Sequence, residues 1–434
     1  MIPFSARTLG NGLHVIVHED RSQPLVAVNL WYHVGSRHEV RGRTGLAHLF
    51  EHLMFKGAQH QPCGFFAPIQ EAGGTLNGST SADRTNYWAV VPTGAAELAL
   101  WMEADRMGWL VPALTEASFE TEREVVINER RQSYENRPYG LAQFAMAEAV
   151  YPADHPYHWP TIGYPTDLRA TTVDDARAFF ERYYHPGNAS LVIAGDMGPD
   201  EAFAMAERLF GDIPVGAPVA PAQPRPVPSA PVRLLQQDRV ELARLYMAWP
   251  SPALFADGDA ALDVAADLLA NGRTSRLYRT LIHETRRAVE LGGGQGSRQL
   301  TSLFQIVATA APGVSLETLR QEIAAELDRL ASHGPTEAEL ERVRVQAEAQ
   351  FMARLETLGG FGGKADQLNA YHVYCGEADG FERDLQRYLT LTPAAVRDAT
   401  ATWLAPQQAT CLSVVPEGQA HIALADSIPA TVTS

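Results

Sequence analysis

Seven prolines fall within the 18 residues 214–231 (PVGAPVAPAQPRPVPSAP), a density that neither a helix nor a central strand tolerates. The stretch reads as an extended, semi-rigid linker that cuts the 434-residue chain into two halves of nearly equal size. A chain of this length exceeds one small core and predicts two domains. The linker supplies their expected bounds: residues 1–213, a connection over 214–231, and residues 232–434.

Equal halves invite a search for an internal repeat. The first half opens on a strand pattern at residues 12–17 and a second at 25–32. A helix around residues 46–55 follows and ends at Gly57. The second half offers a strand at residues 241–249 and a helix at 260–270 that ends at Gly272. Both halves also close alike. A helix over residues 173–184 leads through Pro186 to a strand at 190–194, and a helix over 394–404 leads through Pro406 to a strand at 411–415. The offset is about 215 to 221 residues, which predicts tandem homologous domains. Strands interleaved with long helices in irregular order point to the α+β class rather than a doubly wound sheet.

Composition narrows the function. Acidic residues outnumber basic ones, 51 to 35, for a formal net charge of −16, which argues against a nucleic-acid partner. No apolar run approaches the length of a membrane span, and the first residues, MIPFSARTLGNGLHVIV, lack the basic start and apolar core of a signal peptide. The expectation is a soluble chain, cytoplasmic by default, with a periplasmic setting open if a leader has been removed. Cys63, Cys375 and Cys411 are scattered and form no CxxC pair, so neither a thiolate zinc site nor a disulfide framework is expected.

The sharpest motif is HLFEH, residues 48–52. Leu46, Leu49, Phe50, Leu53 and Met54 make one apolar helical stripe, which leaves His48 and His52, one turn apart, on another face beside Glu51. Two imidazoles so spaced supply two ligands to a zinc ion, and a neighbouring carboxylate can take a proton from water: the inverted HxxEH arrangement. A third ligand must come from elsewhere. Candidates lie in FETEREVVINER, residues 119–130, where Phe119, Val125 or Val126, and Ile127 suggest a partly buried helix. Glu122 and Glu129 are seven residues apart and share one face.

HLFEHLMFKG followed by EREVVINE resembles the pitrilysin/insulinase family of inverted-motif zinc peptidases. The two-domain size resembles the family's shorter branch, typified by mitochondrial processing peptidase and its bacterial relatives. The resemblance implies one Zn2+ per chain held by His48, His52 and Glu129, with Glu51 as general base. Glu129 stands 77 residues beyond His52, as in the family, and Glu122 matches a second glutamate that supports the site from outside the ligands. The resemblance also implies that each domain is a mostly antiparallel sheet with helices packed on one side. AGGTLNGST, residues 72–80, and RTNYW, residues 84–88, resemble the segment where an edge strand pairs with a peptide substrate. Asn77, Gly78, Ser79 and Thr80 are then substrate-binding, with Asn77 bonding near the scissile bond and Gly78 where alanine is more usual.

One expected feature is missing. Family enzymes carry an arginine and a tyrosine seven residues apart that bind substrate and stabilise its oxyanion. After Arg276-Leu277-Tyr278 those positions hold Ile282 and Val289, and the second half has Asp263, Ala266 and Asp267 in place of HxxEH. The resulting expectation is the zinc-bearing subunit of a heteromeric endopeptidase, whose homologous partner supplies the Arg/Tyr pair and which cleaves peptides or unfolded segments. A homodimeric peptidase, a non-catalytic core subunit of the same fold and a zinc-stabilised binding module are the alternatives. Remaining motifs read as structural. Residues 359–365 are a loop rather than a phosphate cradle, 292–296 a loop or bulge, and 336–357 a solvated helix; the histidines of 155–163 are structural.

Overall fold

The computed structural model describes residues 2–433 except Ala222 and Ser229, so these two positions of the proline-rich linker lie outside the described residues. The first half folds around the strands β1 (Ser5–Thr8), β2 (His14–Glu19), β3 (Leu25–Tyr32), β4 (Thr75–Thr80), β5 (Thr85–Pro92) and β6 (Ala189–Gly195). They lie in the order β1-β2-β6-β3-β5-β4, antiparallel except where β2 meets β6. The second half uses β7 (Arg233–Asp238), β8 (Arg244–Ser251), β9 (Ala288–Gly296), β10 (Ser302–Ala310), β11 (Thr410–Pro416) and β12 (Ile428–Pro429), in the order β12-β7-β11-β8-β10-β9. The strands β2 to β6 therefore correspond one by one to β7 to β11. Only the outermost strand differs, supplied from the N-terminus in one sheet and from the C-terminus in the other.

Residues 292–296, four glycines around Gln295, are not the loop that the sequence suggests. They form the end of β9, paired along β10 from Val307↔Gly292 to Leu303↔Gly296. Glycine weakens a strand because it packs no side chain, yet the backbone ladder holds it. Close packing adds a reason at Gly293, where a Cβ would meet the Ala270 Cβ at 2.8 Å.

Alternation along the central strands shows how the halves join. On β3, Val26, Val28, Leu30 and Tyr32 enter the core made with the first half's own helices. Ala27, Asn29 and Trp31 point the other way, toward the helix Lys364–Cys375 of the second half. Asn369 donates to Asn29 O and Oδ1 at 2.9 Å, and Trp31 Nε1 donates to Asp366 Oδ1 at 3.0 Å. The mirror arrangement holds on β8. Leu245, Met247 and Trp249 face the second half's helices, while Tyr246 and Ala248 pack on Ala142, Ala145 and Met146 of the helix Ala142–Val150. Each half thus covers the outer face of the other's central strands, which are buried on both sides.

The linker is also fastened down. Arg225 N donates to Leu300 O at 2.8 Å, and Val227 is buried in the cluster between the halves. The loop after residue 155 contributes, with His155 Nε2 3.3 Å from Arg225 O and His158 Nδ1 2.7 Å from Tyr151 O. Among the described residues no helix is long and apolar enough to cross a membrane, and all three thiols are free.

Candidate metal centre

The helix Leu46–Leu53 exists because its apolar stripe has a core to enter. Leu46, Ala47, Leu49, Phe50 and Leu53 are buried, and Phe50 stacks among Phe179, Phe180 and Tyr184. That fixes the rotation of the helix and turns His48, Glu51 and His52 toward a cleft. The two imidazoles lie 4.8 Å apart between centroids.

The helix Glu116–Arg130 crosses behind them. Its N-terminus is closed by a reciprocal Thr115/Ser118 capping box, and Phe119, Val126 and Ile127 anchor its buried face. Val125 instead is exposed, so Val126 is the core residue of the pair. This packing brings Glu129 Oε2 to 3.2 Å from His52 Nε2 and 3.8 Å from His48 Nε2. One donor atom from each of His48, His52 and Glu129 lies within 4.8 Å of the others, the one such metal-competent group among the described residues. Glu122, one face earlier, is buried; its Oε1 takes the Lys56 ammonium at 2.8 Å and its Oε2 lies 3.9 Å from His52 Nδ1.

The donor set fits a zinc ion: two imidazoles and a carboxylate. Burial, reinforced by His52, lowers His48 to about 4, so its ring is unprotonated at neutral pH. The hydrogen bond from His52 holds the Glu129 carboxyl below its usual range, while burial of His52 is outweighed by Glu129 and the other carboxylates, which raise it. Glu129 Oε2 meets only the two histidine rings, and His48 Nδ1 is a buried atom without a hydrogen bond. Such an atom is costly in a finished core, and the convergence of three donor atoms beside it fits a further binding partner.

Glu51 sits beside this group without joining it. The Thr80 hydroxyl donates to Glu51 Oε2 at 2.7 Å, and burial pushes the carboxyl upward against that bond. Thr80 ends β4, the edge strand of its sheet, whose one partner is β5. Along β4 several polar groups have partners within the chain. Asn77 Oδ1 accepts from Gly78 N at 2.8 Å, and Arg84 Nη1 donates to Ser79 O and Oγ at 2.7 and 2.6 Å. Gly78 is packed closely enough that a Cβ would sit 3.0 Å from the Phe55 ring. Phe55, Phe66 and Val125, with Glu51, His52, Lys56 and Glu122, line a cavity of about 310 Å³ next to the histidines.

Two supports were not visible in the sequence. Glu39, buried, accepts from Gly45 N and Ala47 N at 2.8 Å each and so closes the start of the histidine helix. Burial pushes its carboxyl up to about 8 while those donors hold it down. Arg106, 1% exposed, lies over the rings of Phe65 and Tyr87 at 4.2 and 3.9 Å and ion-pairs with Glu103 beneath the same helix. Both act across long loops, where no local pattern signals them. The positions of the absent Arg/Tyr pair separate: Ile282 lies in the helical turn Tyr278–Glu284 and Val289 is exposed on β9.

Known proteins resemble the chain along most of its length. Residues 14–155 match the family described as Insulinase (Peptidase family M16), and residues 170–346 match the Peptidase M16 inactive domain. The zinc protease PqqE of Helicobacter pylori is 32% identical over 360 residues, spanning 81% of this chain and 80% of that protein. An uncharacterized zinc protease of Streptomyces coelicolor is 25% identical over 398 residues, 90% of this chain and 85% of its own. The crystal structure of a protease from Helicobacter pylori superposes with a TM-score of 0.88 and 28% identity, covering 96% of this chain and all of the other.

Proposed function

The chain belongs to the insulinase family of peptidases, family M16, and from that premise we propose that it is the zinc-bearing catalytic subunit of an endopeptidase. The observation that carries the reading is the convergence of His48, His52 and Glu129 within 4.8 Å, with the Glu51 carboxylate alongside and held by Thr80. Residues 1–213 would form the metal domain and residues 232–434 its homologous companion, joined by 214–231.

His48, His52 and Glu129 would hold the zinc, which supplies Lewis acidity for polarising a peptide carbonyl and a water molecule. Glu51 takes a proton from that water as the water oxygen bonds to the scissile carbonyl carbon. It returns the proton to the amide nitrogen as the C–N bond breaks. Its raised proton affinity suits both steps. A peptide laid along the edge strand β4 would add a strand there, with the Asn77 amide and the backbone from Gly78 to Thr80 as partners. Glu122, clamped by Lys56, would steady His52.

The oxyanion pair is the missing part, since Ile282 and Val289 stand at its positions. A homologous second subunit that carries the Arg/Tyr pair completes the site in this reading. Metal analysis should find about one zinc per chain. Cleavage of a quenched peptide should vanish in Glu51→Gln while zinc is retained, and unchanged cleavage would sink the mechanism. Full activity of the purified chain without the product of an adjacent homologous gene would remove the partner.

A further inference from the structure

The histidine helix has an unusual beginning. Its N-cap is Gly45, in a left-handed conformation at φ +94°, with no side chain to receive the first N–H groups. A local Ser, Thr, Asp or Asn normally does that work. Nor can Gly45 be replaced by one, since a Cβ would meet Leu168 Cδ2 at 2.8 Å and Ile162 O at 3.0 Å. His48 is only the third residue of this eight-residue helix, in the turn that frays first when the cap is lost. Glu51 and His52 lie a turn further in.

We propose that Glu39 is a positioning residue for the metal centre: its carboxylate clamps the first turn and thereby sets where His48 presents its nitrogen. Both carboxylate oxygens are used, Oε2 by Gly45 N and Oε1 by Ala47 N, at 2.8 Å each. Both oxygens accept from backbone N–H, which is the geometry of the ionised group, and the backbone dipoles favour that charge against the burial that pushes the carboxyl upward. Glu39 is itself anchored, ending the short turn Ser36–His38 with its own N–H on Ser36 O at 3.2 Å. Asp167 braces the residue before Gly45, accepting from Thr44 Oγ1 at 2.8 Å and Thr44 N at 3.2 Å. The inference rests on the metal-centre reading and adds the element that fixes one ligand relative to the other two.

The test replaces Glu39 by Gln, which keeps the size but turns an NH2 toward a backbone N–H. Zinc affinity is read by competition with a chromophoric chelator, and turnover is read separately on a quenched peptide. E39Q should weaken zinc binding about tenfold or more and lower kcat by a similar factor, with KM within about threefold of wild type. E39D, with the carboxylate retained on a shorter arm, should recover part of both losses. Leu330→Ala, in the second half's core, serves as a control for lost stability alone and should leave zinc affinity and kcat within about twofold. Zinc affinity and kcat of E39Q within about twofold of wild type would overturn the proposal, as would equal losses in Leu330→Ala at matched melting temperature. If E39Q does not fold, wild-type zinc affinity in E39D overturns it. A wild-type chain that binds no zinc refutes the metal centre instead, which keeps the two failures distinct.

Discussion

Two helices occupy equivalent places in the two halves, Leu46–Leu53 and Asp259–Leu269, each behind a left-handed glycine, Gly45 or Gly258. They differ in what their polar groups have to bind. In the second half every acidic side chain on that helix has a partner in its own chain. Asp259 accepts from Arg387 at 2.7 Å and from Gln295, Ser297 and Phe255 N; Asp263 accepts from Tyr388 Oη at 2.8 Å; Asp267 accepts from Asn271 at 2.9 Å. In the first half Glu129 Oε2 meets only the His52 and His48 rings, at 3.2 and 3.8 Å. One scaffold has turned its polar face into structural cement, and the other has gathered donor atoms that suit a metal. Convergence of donor atoms, more than the presence of polar residues, distinguishes the candidate site from its duplicate among the described residues.

The comparison breaks most sharply on the metal. Glu129→Gln or His52→Ala should abolish stoichiometric zinc and lower kcat on the order of a thousandfold, whereas Asp267→Ala should change neither. Equal zinc loss from the second-half variant would erase the distinction. The next effect belongs to the cemented half. Arg387→Leu leaves Asp259, 1% exposed, without its cation and should cost about 3 kcal/mol of stability, read as a lower urea midpoint. An unchanged midpoint would mean that Gln295 and Ser297 suffice.

A pH experiment probes the contact between the halves. His14 and His33 of the first sheet meet His372 of the second half, His14 and His372 stacked at 3.9 Å, with Arg37 beside His33. Burial lowers His33 to about 3 and His372 to about 4, and lowers His14. These groups bind protons more weakly folded than unfolded, where the usual value is 6.5. Their contribution to stability is therefore complete above about 6.5 and is lost as the pH falls toward 4. Urea midpoints between these limits should decline, and His372→Phe should flatten the decline; a slope unaffected by that change would place the acid sensitivity elsewhere. The smallest effect is expected at Gly78→Ala. The new methyl presses on Phe55 at 3.0 Å and Tyr87 at 3.1 Å and should cost about 1 kcal/mol, measured as a drop in melting temperature with zinc content unchanged.

Strands and helices with strong periodicity were legible in the chain. Residues 25–32 form a nearly continuous apolar run because both faces of β3 are buried, and the apolar stripe of residues 46–54 already turned His48, Glu51 and His52 to a common side. The glycine run of β9 was not, because its pairing with β10 lies in the backbone and leaves no trace in side-chain pattern. Glu122 and Glu129 shared one face of a partly buried helix, and only the family resemblance told the expected ligand from its support. Glu39 had no signature at all, since a cap reaching across six residues has no spacing rule.

By itself the sequence determined that the chain is a duplicated α+β protein carrying an HxxEH helix in one copy. It did so because apolar periodicity and proline placement act locally, through backbone conformation and burial. Only the tertiary structure decided that each half covers the other's sheet, that Glu129 reaches the two histidines, and that Glu39 holds the helix on which they stand. Those contacts join residues far apart along the chain, and their geometry depends on how the two sheets and their helices pack, which no local pattern encodes.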